Sequence, residues 1–111
     1  MTVPPKISTR ARAHLRSLAH HLEPVSQIGH EGLTEAFIES VSAALEQHEL
    51  IKVRVATNYE GDRRDAARQL AAALGADLTQ TIGRVIVLYR PRTKPTKKDA
   101  KRPRIVLPDG P

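Results

Sequence analysis

The segment VIVLY, residues 85–89, is apolar at every position, and this constrains the fold more than any other feature of the chain. Successive side chains of a β-strand point to opposite faces of a sheet, so this strand must be buried on both faces. The preceding LTQTIGR predicts the other strand of a hairpin that turns at Gly83. We therefore expect a sheet with helices packed against both of its faces.

The first helix is predicted near the N-terminus, with Ser8 or Thr9 as N-cap and a stop at Pro24. Its apolar residues recur at spacings of three and four: Ile7, Ala11, Leu15, Leu18 and Leu22. The segment PVSQIG that follows predicts a short strand. Because the later helices are expected on one face of the sheet, this first helix is the candidate for covering the other.

A second helix is predicted from Thr34, which can act as its N-cap. Its broad apolar face consists of Leu33, Phe37, Ile38, Val41, Ala44 and Leu45. Its outer face carries Glu35, Glu39 and Glu46, and should therefore point away from any polyanion.

The segment LIKVRVAT alternates apolar and basic residues, which predicts a strand with one buried face. An alanine-rich helix follows, with Asp62 as N-cap, Asp65 three residues later, and Gly75 as C-cap. The whole order is αβαβαββ, with two right-handed βαβ crossovers and a hairpin. We expect a fold of the α/β class, of the α+β two-layer type.

Composition limits the class of protein. A chain of 111 residues has room for one domain, and the absence of cysteine excludes disulfides and cysteine-ligated metals. Lys and Arg total 18 against 12 Asp and Glu, a net charge of +6, which favours a polyanionic partner such as nucleic acid. Many small proteins are nevertheless basic without binding one. With no signal peptide and no apolar run of membrane length, we expect a soluble, cytoplasmic protein.

The composition changes at the C-terminal end. Residues 92–104 hold seven basic residues and no large apolar side chain, which predicts a disordered basic arm. We therefore expect a domain at 1–91, flexible over 1–6, and a basic tail at 92–111. The apolar IVLP at 105–108 can dock back on the domain.

The corner Gly29-His30-Glu31-Gly32 separates a predicted strand from a predicted helix. The backbone N–H groups of residues 32 to 35, with Thr34 as cap, would be unpaired donors at a helix N-terminus and could hold a phosphate. Glycines would let an RNA backbone approach closely. The alternative is that both glycines serve only the geometry of a turn.

Basic residues from three further segments could surround this corner as one surface. They are Arg10, Arg12 and Arg16 of the first helix, Lys52 and Arg54 of a strand, and Arg84 and Arg90 beside the last strand. Each of them could equally be an ordinary solvated charge. Tyr89 is predicted to be a core residue, because aromatic residues make up only 3% of the chain and offer no stacking platform.

Histidines raise the question of an enzyme. His14, His20 and His21 lie near Glu23, and His48 precedes Glu49, but neither group has a well-placed third donor for a metal or an acid–base site. We find no nucleophile elbow, Walker loop or paired-carboxylate motif. We therefore predict no enzyme, no metal, no cofactor and no small-molecule substrate.

Four motifs occur in an order that resembles a known family: SLAH, GxxGLT, HELIKV and VLYRP. Together with IVLP in a basic tail, they resemble the bacterial single-domain CRM proteins of the YhbY type, over about Ser8 to Pro108. The resemblance implies a mixed four-stranded sheet similar to the C-terminal domain of translation initiation factor three. It also implies RNA binding and association with precursors of the large ribosomal subunit. Members often have a basic residue in the glycine loop, where this chain has His30 and Glu31.

The sequence and the resemblance together predict a monomeric, non-enzymatic RNA-binding protein that assists ribosome assembly and recognises mainly RNA backbone and shape. A protein-interaction adaptor is the alternative, with the acidic helix face as docking surface and the tail as a nonspecific nucleic-acid anchor. A DNA-binding architectural protein is a third possibility. The sequence leaves open which RNA site is bound and at which assembly step.

Overall fold

The computed structural model describes residues 7–91. Its three helices and four strands follow in the predicted order: α1 (Thr9–Ala19), β1 (Pro24–Ile28), α2 (Glu35–His48), β2 (Leu50–Val55), α3 (Arg63–Leu74), β3 (Asp77–Ile82) and β4 (Val85–Tyr89). The predicted flexible N-terminus, the basic tail and IVLP lie outside the described residues. Within 7–91, none of the helices combines the length and the apolarity that a membrane span requires.

The four strands form one mixed sheet in the order β1-β2-β4-β3. Strands β1 and β2 are parallel, and β4 is antiparallel to both of its neighbours, β2 and β3. The connections through α2 and α3 are therefore both parallel crossovers, and the last strand lies in the interior of the sheet. This is the mixed four-stranded sheet that the sequence resemblance implied.

Helices pack against both faces of the sheet, as the apolar segment VIVLY predicted. Ile86 and Leu88 of β4 belong to the larger core, under α2 and α3. Val87 and Tyr89 belong to a smaller core, under α1. The α+β class is confirmed, but a two-layer description is incomplete, because α1 forms a partial third layer.

The predicted helix caps are present. Ser8 Oγ accepts a hydrogen bond from the Ala11 N–H at 3.0 Å, and Thr34 Oγ1 accepts one from the Phe37 N–H at 3.0 Å. Asp62 Oδ1 does the same for α3, and Gly75 ends that helix in the left-handed conformation. The side chains of Ser8, Thr34 and Asp62 thus accept hydrogen bonds from backbone N–H groups that have no partner within the helix, and so set where each helix begins.

Helix α1 is shorter than predicted, because it ends at Ala19 and does not continue to Pro24. Pro24 is the first residue of β1, so the residues between them are needed to turn the chain into the sheet. Leu18 and Leu22 continue the apolar spacing but are exposed. The apolar pattern therefore extends beyond the part of α1 that the sheet buries.

Candidate nucleic-acid interface

The glycine loop and the segment after β2 lie side by side at one edge of the sheet. Because β1 and β2 are parallel, both strands end at this edge. The Ala56 N–H donates to the Ile28 carbonyl at 2.9 Å, which ties the two segments together. The ring of Tyr59 lies beneath Gly32, 3.5 Å from where a Cβ at that position would be. Two loops therefore form one surface.

The corner itself is a tight turn. The Gly32 N–H donates to the Gly29 carbonyl at 3.0 Å, and Gly32 has a φ of +73°, which favours glycine. A Cβ at Gly29 would meet nothing within 4 Å, and His30 and Glu31 are exposed. Turn geometry thus explains Gly32, whereas Gly29 borders open space that a ligand can enter.

Fewer backbone donors are free at this corner than the sequence predicted. Of residues 32 to 35, Gly32 donates within the turn and Thr34 donates to the Gly32 carbonyl at 3.2 Å. The N–H groups of Leu33 and Glu35 have no hydrogen-bond partner within 7–91. The prediction missed the turn's own hydrogen bonds, which use half of the four donors.

Arg54 and Arg84 lie close to the loops. Arg54 is exposed on the α1 side of β2, with Gln27 of β1 and Val85 of β4 as its neighbours across the strands. Arg84 Nη1 donates to the Ala56 carbonyl at 3.4 Å. Between them is an open hollow of about 410 Å³.

The hollow is also lined by Gln27, Thr57 and Asn58, which the sequence prediction did not include. Thr57 and Asn58 follow the carboxyl end of β2, and Gln27 lies at the end of β1. The rule that ligands gather at the carboxyl ends of parallel strands could have found them.

Arg16 and Lys52 line a second, larger space. It is a groove of about 560 Å³ between α1 and the part of the sheet that α1 leaves open. Lys52 is two residues from Arg54 on the same face of β2, so groove and hollow are neighbours. The sequence prediction of Lys52 and Arg54 on the exposed strand face is thus matched by the structure.

Arg10 and Arg12 lie elsewhere. Arg12 Nη2 forms an ion pair of 2.8 Å with the buried Asp77, which also accepts a hydrogen bond from Thr79. The hydrogen bond from Arg12 to Asp77 raises the pKa of the guanidinium, against the effect of burial. At 3.6 residues per turn, Arg10 lies about 120° around α1 from Arg16. Neither of these two arginines lines the hollow between Arg54 and Arg84.

Arg90 is bound inside the fold. Its guanidinium donates to the Leu74 carbonyl at 2.9 Å, to the Ser42 carbonyl at 3.0 Å, and to Glu46 at 3.2 Å. Its own N–H donates to the Glu49 carbonyl at 2.9 Å. Arg90 therefore connects the ends of α2 and α3 at the sheet edge opposite the glycine loop.

The histidines form no metal site within the described part of the chain. No group of three or more His, Asp or Glu in residues 7–91 is placed to hold a metal ion. His20 and His21 meet edge to face with ring centroids 5.4 Å apart. His48 is the last residue of α2.

Comparison with known proteins is consistent with this architecture. Residues 7–90 match the model of the CRS1/YhbY (CRM) domain. "Probable RNA-binding protein YqeI" of Bacillus subtilis is 43% identical over 84 residues, which cover 76% of this chain and 88% of that protein. A protein of Haemophilus influenzae named "RNA-binding protein" is 41% identical over 85 residues, which cover 77% and 86%. None of these names is that of an enzyme.

A solved structure agrees as well. The solution structure of a hypothetical protein from Staphylococcus aureus superposes with a TM-score of 0.70 at 37% identity, and covers 93% of this chain and all of that one (100%). The family match spans all the described helices and strands. The chain therefore belongs to the CRS1/YhbY (CRM) domain family.

Proposed function

We propose that this protein binds ribosomal RNA or a precursor of the large ribosomal subunit, and assists ribosome assembly in the cytoplasm as a monomer. The family and the names of its relatives support RNA as the partner. The sequence resemblance supports the ribosomal role. No cofactor takes part in this function, which consists of holding or shielding an RNA fold.

The observation that carries the proposal is a set of cations without internal partners. Arg16 and Lys52 line the groove beneath α1, and Arg54 lies two residues from Lys52 on the same face of β2. None of these three side chains makes a hydrogen bond or ion pair within residues 7–91. Such charges bind phosphates and release the counterions around RNA, so affinity should fall as salt rises.

Recognition of backbone and shape follows from the position of the aromatic residues. Tyr89 is buried, and Phe37 and Tyr59 pack against the larger core. None offers an exposed ring on the α1 side of the sheet, where bases could stack in series. Specificity must then come from the geometry of the basic surface and the loops around it.

The glycine loop gives the sharpest test. The Leu33 and Glu35 amides and the dipole of α2 attract a phosphate at this edge, whereas Glu31 repels it. Glu31→Lys should therefore tighten RNA binding by about 1 kcal/mol at low salt, and by less at high salt. The measurement is a titration with a ribosomal RNA fragment at two salt concentrations.

Glu39→Lys is the matched control, because it makes the same charge change on the exposed outer face of α2. Its effect should be smaller than that of Glu31→Lys. Equal effects of the two substitutions would mean that only net charge matters and that the loop does not contact phosphate. A second measurement distinguishes RNA binding from the protein adaptor. An RNA-binding protein purified from a cell lysate should carry material that absorbs at 260 nm and that high salt removes, whereas a protein adaptor should not.

A further inference from the structure

The groove beneath α1 is open because α1 covers only part of its face of the sheet. The small core under α1 contains Leu50, Val87 and Tyr89, at one end of the strands. Towards the hairpin, Val85 is half-buried and Ile82 is 60% exposed. An apolar strip of β3 and β4 is thus left without a covering helix.

The lining of this groove combines three chemical characters. Val85, Val87 and Ile82 form an apolar floor. Gln80 supplies an amide that can both donate and accept hydrogen bonds. Arg16 and Lys52 supply positive charge, and no lining residue is acidic.

This combination fits a nucleotide better than a peptide or a lipid. A nucleotide has a flat apolar ring face for the apolar floor, a hydrogen-bonding edge for the Gln80 amide and a negative phosphate for the two cations. An acidic peptide would leave the apolar floor without a contact, and an apolar segment would leave the cations unused. The volume of about 560 Å³ lies within the range of small-ligand sites.

The position of the groove also suits an RNA chain. Lys52 and Arg54 are two residues apart on one strand face, a separation of about 6.8 Å. Arg54 is the cross-strand neighbour of Val85, so it lies beside the apolar floor. An RNA backbone that contacts Arg54 therefore passes directly along the opening of the groove.

We propose that the groove binds the base of one unpaired RNA nucleotide, with its ring against Val85 and Ile82 and its phosphate near Arg16 and Lys52. The base edge meets Gln80. This proposal rests on RNA binding as the proposed function, and adds a preference for RNA with an extruded nucleotide over a continuous duplex.

The test uses two RNA hairpins that differ in one position. In one, a 2-aminopurine nucleotide is bulged; in the other, it is paired. The wild-type protein should bind the bulged hairpin more tightly and change its 2-aminopurine emission. Ile82→Ser should reduce the preference by about fivefold, the effect of losing roughly 40 Å² of buried apolar surface.

Two control variants separate the groove from the rest of the surface. Val25→Ser also removes an exposed apolar side chain, 46% exposed on the edge strand β1, and should leave the preference unchanged. Arg54→Gln should weaken binding of both hairpins by similar factors.

Binding of both hairpins with equal affinity by the wild type would overturn this inference and leave RNA binding intact, whereas binding of neither would overturn the proposed function as well. A preference that survives in Ile82→Ser would also overturn the inference. The inference would also be overturned if the wild-type protein were a dimer and Ile82→Ser made it a monomer, because the groove would then bind a second copy of the chain.

Discussion

Arg54 and Arg90 look alike in the sequence, since both lie at or beside strands and both are predicted RNA ligands. In the fold, the Arg54 side chain is exposed and makes no hydrogen bond or ion pair within 7–91. The Arg90 side chain, by contrast, is only 16% exposed and forms hydrogen bonds to α2 and α3. Leu74 is the last residue of α3, so its carbonyl has no partner within the helix. Arg90 supplies that partner, and its charge is used within the protein.

The two arginines should therefore respond differently to substitution. Arg90→Ala should lower the free energy of unfolding by about 2 kcal/mol, because buried carbonyls lose a charged donor. It should leave the RNA affinity of the folded protein unchanged. Urea unfolding and an RNA titration below the melting range measure the two quantities.

Arg54→Ala is the matched control. It should change the free energy of unfolding little and should clearly lower the affinity for RNA. A folded Arg90→Ala protein that binds RNA more weakly than wild type would show that Arg90 contacts RNA after all.

At the scale of the element, the start of α3 depends on the charge of one side chain. The N–H of Asp65 donates to the Asp62 carboxylate and lowers the pKa of Asp62 below its usual value. The carboxylate therefore stabilises the fold above about pH 4, and this contribution is lost as pH falls through the lowered pKa.

Asp62→Asn tests this, because asparagine is also a good N-cap but does not titrate. Melting temperatures from about pH 6 to about pH 3 should fall less steeply in the variant than in the wild type. Parallel curves for the two proteins would mean that the charge of Asp62 contributes nothing to folding.

The boundaries and hydrogen bonds of an element can be predicted from the sequence when they depend only on residues that are close together in the chain. Thr34 and Asp62 are predictable as caps because a cap bonds to an amide three residues away. The predicted end of α1 is wrong because Leu18 and Leu22 keep a helical spacing, and only the extent of the sheet decides which turns are buried. The predicted number of free donors beside Gly32 is too high because the hydrogen bonds of the turn depend on its φ and ψ angles.

At the scale of the whole molecule, the site is only partly predictable, since the sequence shows charges but not their partners. The alternation of β2 places Lys52 and Arg54 together on one face. Nothing local distinguishes them from Arg12, whose partner Asp77 is 65 residues away. The groove beneath α1 is not predicted at all, because it exists only where α1 fails to cover the sheet.

The basic tail belongs to this scale too, although it lies outside the described residues. Deleting residues 92–104 removes seven cations and should lower affinity for all RNAs alike. The slope of log affinity against log salt should flatten by about 0.7 to 0.9 for each phosphate that the shortened protein no longer neutralises. The affinities of the full-length and the shortened protein are measured with the bulged and the paired hairpin. If the deletion changes the preference between the two hairpins, the tail contributes to specificity and the prediction is wrong.

The position of β4 has a consequence for synthesis of the chain. β4 comes last in the order of elements but pairs with both β2 and β3, which are not neighbours in the sheet. In a growing polypeptide that stops at residue 84, β2 and β3 lack the strand that joins them in the finished sheet. Their unpaired edges would invite association with other chains. The four-stranded sheet can thus be completed only after Tyr89 has been synthesised.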